Sequence, residues 1–216
     1  MLFDTAAAAL DWLGVIVFAI SGALVASRKQ MDIVGFALLG TVTGIGGTLR
    51  DLLLGQGPVF WVREPAYLIV CVVVSGVVFV PAHIPQSRYR VLLWFDALGL
   101  ALFAVTGAER ALLAGSGPVV AVAMGVITAT FGGIIRDVLG NESPVVLSRE
   151  IYVTAALVGA GVFIVLSAYG LGRESALGAG LLAGLVVRGM ALRWGWSLPR
   201  YRARPEHARE EVKRPE

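Results

Sequence analysis

Residues 43–51 read Thr-Gly-Ile-Gly-Gly-Thr-Leu-Arg-Asp, and residues 129–137 read Ala-Thr-Phe-Gly-Gly-Ile-Ile-Arg-Asp. Each stretch places two adjacent glycines, and then an arginine and an aspartate, inside a long apolar run. Glycine weakens a helix and charged side chains are costly in hydrocarbon, so neither choice suits a helix that simply faces lipid. The repetition indicates that both places need these residues.

The composition is that of a membrane protein. Of 216 residues, 57% are hydrophobic and 15% are charged, and the mean hydropathy is +0.79, which is too apolar for an ordinary soluble domain. Seven apolar runs are long enough to cross about 30 Å of hydrocarbon. They are residues 10–26, 33–54, 66–82, 91–108, 119–139, 151–171 and 176–192. We therefore predict an all-α, polytopic membrane protein with seven transmembrane helices.

The charges predict the orientation of these helices. Residues 193–216 hold seven basic side chains against four acidic ones, so this tail carries the whole formal charge of +3. Basic segments stay in the cytoplasm, and seven crossings then place the N-terminus outside. Arg28-Lys29 falls on the inner side in this arrangement, whereas Glu109-Arg110 and Arg173-Glu174 fall in outer loops.

The two glycine-rich stretches belong to a longer internal repeat. Asp11 corresponds to Asp96 (96 − 11 = 85), and after one inserted residue Arg50-Asp51 corresponds to Arg136-Asp137 (136 − 50 = 86). Each copy contains three helices, and an odd number turns the second copy upside down, as in many transport proteins. We predict one membrane domain over residues 1–216. Its parts are repeat one at about 8–82, repeat two at about 91–171, a seventh helix at about 174–193 and a basic cytoplasmic tail at 194–216.

The glycine pairs predict breaks within the membrane. Gly46 lies thirteen residues after Ile33, which is roughly 20 Å along a helix. Adjacent glycines let a helix bend or another backbone approach closely, and freed backbone groups at this depth need protein or a water-filled cavity around them. Inversion places Gly132-Gly133 towards the opposite face, so a path through the protein would meet one such element near each end.

The charged partners of the two arginines are expected on other helices. Neighbours on a helix point about 100° apart, so Arg50 and Arg136 should not pair with the aspartates that follow them. Asp11 and Asp96 are the candidate partners. An interfacial position close to Arg90 is the alternative for Asp96.

Other features of the apolar runs have plain interpretations. Arg188 and Arg193 in the seventh helix are expected to extend towards the headgroups. The spacing of Gly180 and Gly184 favours close helix contact, within or between subunits.

Enzymatic and nucleic-acid roles are not expected. His83 and His207 are the only histidines and lie in a loop and the tail, and Cys71 is the only cysteine. One chain therefore cannot assemble an intramembrane Ser-His pair, a multi-histidine or multi-thiolate metal site, or an internal disulfide. We predict no metal and no cofactor. Acidic residues interrupt the basic tail, so nucleic acid is not an expected partner, while anionic lipid is a candidate one.

Gly-Ile-Gly-Gly-Thr-Leu-Arg-Asp and its partner Phe-Gly-Gly-Ile-Ile-Arg-Asp, within a duplicated three-helix unit, resemble a prokaryotic member of the trimeric intracellular cation channel family. The resemblance covers roughly residues 8–195. It implies kinks at the glycines of helices 2 and 5, a pore within each of three subunits, and passage of monovalent cations, chiefly potassium, with sodium as a further candidate. It also implies a bacterial or archaeal plasma (inner) membrane. By resemblance the pore and gate residues are Gly44, Gly46, Gly47, Arg50, Asp51, Gly132, Gly133, Arg136 and Asp137.

One residue departs from the symmetric pattern. Thr130 stands where the first copy has Gly44, so a shallower kink is expected in the fifth helix.

Three functional hypotheses follow. In a cation channel an unpaired arginine would repel the ion, so each arginine must be paired or turned aside, and we expect each to close a constriction through an aspartate. A secondary transporter of glycine or another small zwitterion could use the same helix breaks, because bacterial relatives of the family have also been called glycine transporters. A packing or lipid-binding membrane protein is the third, and it leaves the two charged breaks unexplained.

Overall fold

The computed structural model describes residues 2–81, 88–147 and 151–199. Within these ranges the chain forms nine α-helices and a short 3-10 helix at Val145–Leu147. The α-helices are α1 (Leu2–Arg28), α2 (Ile33–Gly44), α3 (Thr48–Leu53), α4 (Phe60–Arg63), α5 (Ala66–Phe79), α6 (Arg88–Leu113), α7 (Pro118–Leu139), α8 (Val153–Ala168) and α9 (Arg173–Trp194). The predicted all-α class is confirmed.

Every predicted apolar run coincides with helical structure. By length and composition, α1, α6, α7 and α9 are long and apolar enough to cross a membrane, and α2, α5 and α8 are shorter apolar helices. The chain is a membrane protein with one helical region for each run. That all seven regions cross the bilayer stays a prediction.

The second run is broken where the glycines predict a break. Helix α2 ends at Gly44, and α3 begins at Thr48 after a three-residue turn. The turn is held by its own hydrogen bonds, since the amide of Ile45 donates to the Thr41 carbonyl at 3.0 Å and the Thr48 hydroxyl donates to the Ile45 carbonyl at 2.6 Å.

The predicted break in the fifth helix is wrong. Helix α7 runs without interruption from Pro118 to Leu139, through Gly132 and Gly133. Thr130, which stands where the first copy has Gly44, donates its hydroxyl to the Val126 carbonyl at 2.9 Å within the same helix. Helix α7 thus keeps the turn that the first copy loses after Gly44, which agrees with the expectation of a smaller distortion here.

Helices α1 and α6 form the centre of the molecule. Helix α1 packs against α2, α5 and α6, and α6 packs against α1, α7, α8 and α9. Between them the ring of Phe18 meets that of Phe103 edge to face, with centroids 5.1 Å apart. The first helix of each predicted repeat thus lies at the core, with α2 packed on α1 and α7 packed on α6.

Helix α9 lies close against α8. A Cβ atom added at Gly180 would lie 2.7 Å from the Gly159 carbonyl oxygen, and one added at Gly184 would lie 3.4 Å from the Gly159 Cα. The predicted close contact through Gly180 and Gly184 is therefore present within the subunit. The helix ends at Trp194, and the following residue, Gly195, has a φ of 67°, which is favourable for glycine.

Some predictions fall on residues that the structure does not describe. His83, His207 and the basic tail from residue 200 onward lie outside the described ranges. The predicted cytoplasmic role of the tail therefore stays a prediction.

Candidate functional site

The first Arg-Asp pair joins α3 to α4. Arg50 is buried and donates from Nε and Nη2 to Asp51 Oδ1, at 2.9 and 2.7 Å. The other carboxylate oxygen, Oδ2, accepts a hydrogen bond from the backbone amide of Phe60 at 2.8 Å. Asp51 is therefore fixed on both sides, by a guanidinium and by the start of the next helix.

The second pair repeats this arrangement on α7. Arg136 donates from Nε to Asp137 Oδ1 at 2.8 Å, and Asp137 Oδ2 accepts from the backbone amide of Val145 at 3.0 Å. The same atoms thus make the same bonds in both copies, despite the break in one helix and the continuity of the other.

The expectation that sequence neighbours do not pair is wrong for both arginines. The arginine side chain is long and carries its donors in a fork, so it can bend around the helix to the adjacent carboxylate. That carboxylate is turned towards it because its second oxygen is held by a backbone amide further along the chain.

Arg136 also bonds to two other helices. Its Nη1 donates to Asp96 Oδ1 on α6 at 2.7 Å and to the Ser21 hydroxyl on α1 at 3.0 Å. Both Arg136 and Asp96 are 0% exposed, so Asp96 is buried within the protein, and its depth in the bilayer stays a prediction. Asp96, one of the two candidate charge partners, is bound to an arginine of the glycine-rich element on another helix, and α7, α6 and α1 meet at this guanidinium.

Asp11, the other candidate partner, is held differently. It is 4% exposed, and its Oδ2 accepts a hydrogen bond from Arg110 of α6 rather than from Arg50. A buried carboxylate needs a cation or several donors, and here the cation comes from a residue that the sequence analysis placed in an outer loop. Pairing between Asp11 and Arg50 is not observed.

The two charged elements lie at opposite ends of α6. Asp96, near the start of α6, binds Arg136, whereas Arg110, fourteen residues later, lines a cavity with Asp51. Fourteen residues of helix span about 21 Å. We call these the Asp96 end and the Arg110 end of the molecule.

A cavity of about 270 Å³ opens at the Arg110 end. It has both signs of charge on its wall, which suits water and small ions better than an apolar ligand. Its lining residues are Asp51, Leu54, Gln56, Phe60, Arg63, Glu64, Tyr67, Arg110, Leu113 and Ala114.

Between the two ends, the backbones of the glycine-rich elements touch. A Cβ atom added at Gly46 would lie 2.8 Å from the Gly132 nitrogen, and one added at Gly132 would overlap the Thr43 carbonyl oxygen at the end of α2. Gly46 and Gly132 therefore allow the α2–α3 turn to rest directly on α7, which no residue with a side chain would permit in this geometry.

Two of the three remaining predicted glycines lie next to polar or charged side chains. A Cβ at Gly47 would lie 3.3 Å from Arg50 Nη2, and one at Gly133 would lie 2.9 Å from the Tyr152 hydroxyl and 3.4 Å from Asp96 Oδ1. Gly44 faces Cys71 instead, with an added Cβ 2.7 Å from its sulfur. Gly47 and Gly133 thus leave room for the charged groups, whereas Gly44 serves packing of α2 on α5.

Comparison with known proteins shows to which family the chain belongs. A family model described as glycine transporter matches residues 8–83 and again residues 93–168. The chain belongs to this glycine transporter family.

Relatives of the glycine transporter family agree over most of the chain. The inner membrane protein YadS of Escherichia coli K12 is 44% identical over 199 residues, covering 89% of this chain and 94% of YadS. A membrane protein of Vibrio cholerae is 41% identical over 194 residues, covering 89% of this chain and 81% of that protein.

Solved structures of TRIC channels also resemble the chain. The trimeric intracellular cation channel orthologue from Rhodobacter sphaeroides is 64% identical with a TM-score of 0.87, covering 89% of this chain and 100% of that one. A prokaryotic TRIC channel crystallised in 0.5 M KCl is 34% identical with a TM-score of 0.84, covering 92% and 100%. The predicted membership in the trimeric intracellular cation channel family is confirmed.

Several buried charged residues of this family member were missed or misplaced by the sequence analysis. Arg188 is 0% exposed, donates to the Ile151 carbonyl at 3.2 Å and lies 5.1 Å from the centre of the Tyr152 ring. Its predicted extension to the headgroups is wrong, because α6 and α8 enclose this face of α9. Tyr152 in turn lies with its hydroxyl 3.5 Å from Asp96 Oδ1.

Glu109 was likewise expected in an outer loop. It lies within α6, 2% exposed, and pairs with Arg173 of α9. The signal that could have revealed it was the continuation of the apolar pattern past residue 108, through Ala111, Leu112 and Leu113.

Proposed function

We propose that this chain is a monovalent cation channel that prefers potassium, with sodium as a further permeant ion. The pore lies within each subunit between the glycine-rich elements, and the subunits form a homotrimer. Support comes from the 64% identical trimeric intracellular cation channel orthologue and from the arrangement of charges described above. Neither a cofactor nor a metal takes part.

The observation that carries the proposal is that both arginines of the glycine-rich elements are neutralised. Arg136 faces two carboxylates, Asp96 and Asp137, which gives this buried group a formal charge of −1. Arg50 faces Asp51. A cation that approaches either element therefore does not meet an uncompensated positive charge, which would exclude it from a narrow path.

Gating follows from the contacts of Arg136. This side chain ties α7 to α6 and α1, so release of Arg136 from Asp96 would let α7 move away from the core. Opening also requires the Gly46–Gly132 contact to separate. In this proposal the Asp96 end is the closed end, and the cavity at the Arg110 end is a vestibule.

The proposed orientation places the Arg110 end outside and the Asp96 end in the cytoplasm of a bacterial or archaeal inner membrane. Arg28 and Lys29 lie at the Asp96 end, where both pair with Glu142, at 3.0 and 3.6 Å. Basic residues favour the cytoplasmic side. The basic tail would then be cytoplasmic too, where it can meet anionic lipid.

A second candidate function is transport of glycine or another small zwitterion. The description of the matching family model favours it, and the mixed charges of the vestibule, from Glu64 to Arg110, could hold an ammonium and a carboxylate.

The two functions are separated by recording from purified protein in planar bilayers under a potassium gradient, with and without glycine. Discrete currents that reverse near the potassium potential, with glycine making no difference, support the channel. Silent bilayers together with saturable uptake of labelled glycine into liposomes from the same preparation would refute it. Replacing Arg50 or Arg136 with alanine should alter the open probability, and unchanged currents in both variants would refute their role as gates.

A further inference from the structure

The two halves of the molecule differ at one buried carboxylate. Asp11 corresponds to Asp96 (96 − 11 = 85). Asp96 is bound by Arg136 of the adjacent glycine-rich element. Its counterpart Asp11 is bound by Arg110 instead, while Arg50, the counterpart of Arg136, bonds to Asp51.

This difference is encoded in the sequence. At the offset of 85 residues, the position equivalent to Arg110 in the first repeat is Val25 (110 − 85 = 25). A buried valine cannot compete for Asp96, so no second cation from that position competes with Arg136. At the Arg110 end Asp11 has two candidate arginines, Arg110, which binds it here, and Arg50, which binds Asp51.

We propose that Arg110 is a further gating residue, which competes with Arg50 for Asp11. With Arg110 on Asp11, as in this structure, the Arg110 end is open to its vestibule. When Arg110 leaves, Arg50 takes its place on Asp11 and ties α3 to α1, as Arg136 ties α7 to α6. This inference rests on the proposed function, and it adds Arg110 and Asp11 to the residues that gate the channel.

The surroundings favour an exchange over a permanent pair. The Arg110 side chain is 40% exposed and lines the vestibule, whereas that of Asp11 is 6% exposed. Arg110 can therefore leave into water at little cost, but Asp11 cannot remain buried without a cation. Asp11 Oδ1 accepts no hydrogen bond from the part of the chain that the structure describes, so it has room for a second donor.

The competing arginine is close at hand. Asp51, which binds Arg50, lines the same cavity as Tyr67 and Arg110, and Arg110 binds Asp11. Both arginines therefore lie at this cavity, and the proposed exchange is a movement of their side chains there.

Single-channel recording gives the first test. Arg110→Gln should favour the Arg50–Asp11 pair and lower the open probability by about fivefold or more, and the double variant Arg110→Gln with Arg50→Gln should restore it. Arg173→Gln is the matched control, because it removes an arginine from a carboxylate at the same end without touching Asp11. Equal loss in the control, or no recovery in the double variant, would overturn the proposal.

A stability cycle tests the exchange independently of channel activity. In otherwise wild-type protein, the changes in Tm caused by Asp11→Asn and Arg50→Gln should add, because these side chains are not paired. In the Arg110→Gln background they should no longer add, since Arg50 now binds Asp11. Additive shifts in both backgrounds would overturn the exchange. If wild-type protein carries no current while the shifts become non-additive, the proposed channel function fails and the exchange stands.

Discussion

Replacement of Gly46 by alanine should separate the two glycine-rich elements. The added Cβ would lie 2.8 Å from the nitrogen and 2.9 Å from the Cα of Gly132, against an ordinary contact distance of 3.4 Å or more. Both are backbone atoms of an uninterrupted helix, so no rotamer change can relieve the overlap. The α2–α3 turn and α7 must move apart by about 0.6 Å, the difference between the required and available distances.

Overpacking of this kind costs about 1–3 kcal/mol in unfolding free energy. Gly46 lies in the turn between α2 and α3, so alanine brings no helix-propensity gain to offset the cost. At about 2–4 °C per kcal/mol for a chain of this size, Tm should fall by about 2–12 °C. The assay is thermal unfolding of the purified protein in detergent.

Gly76→Ala is the matched control. Gly76 lies inside α5, and a Cβ there would meet nothing within 4 Å. Alanine should leave Tm unchanged or raise it, because it favours the helix by roughly 0.5–1 kcal/mol. A Gly46→Ala protein as stable as the control would refute direct contact between the two elements.

Further substitutions at four charged positions are tested by Tm in the same detergent. Arg136→Met leaves two buried carboxylates without their cation and should lower the free energy of unfolding by about 3–5 kcal/mol. Arg50→Met leaves one carboxylate that keeps a backbone donor and should lower it by about 1–3 kcal/mol. A larger loss for Arg50→Met would contradict the assignment of two carboxylates to Arg136 and one to Arg50. Arg188→Met removes a buried guanidinium from a carbonyl and an aromatic ring and should cost about 1–3 kcal/mol, and Arg188→Lys should not restore Tm, because lysine lacks the planar fork. Glu142→Gln breaks the partly exposed pairs with Arg28 and Lys29 and should lower the free energy of unfolding by less than about 1 kcal/mol. In 1 M salt this difference from the wild type should disappear. A loss of Tm that does not change with salt would contradict the partial exposure of these pairs.

The helices and the repeat could be predicted because they depend on composition and spacing. Hydropathy located one helical region for each run, and the paired glycines located the turn between α2 and α3. The correspondence of Asp11 with Asp96 singled out two carboxylates that the structure shows buried and bound to arginines. These features depend on residue type and offset alone, which a sequence displays directly.

The partners could not be predicted, because they depend on side-chain reach and on helix neighbours. Arginine bends back to the adjacent aspartate only because a distant amide orients that carboxylate, as with Phe60 and Asp51. Arg110 looked like a loop residue since it stands beside an acid near the end of an apolar run. Arg188 is buried only because α6 and α8 cover its side of α9, and which face of a helix is covered is a property of the folded chain.

Open probability of the Asp96→Asn variant in planar bilayers under a potassium gradient is the most direct test of the central claim. Asparagine keeps the shape of the aspartate and removes the charge that holds Arg136, while the bond between Arg136 and Asp137 remains. We expect a higher open probability than in the wild type, with currents that still reverse near the potassium potential. An open probability equal to the wild type, in a variant that retains wild-type unitary currents, would contradict the claim that this contact closes the path.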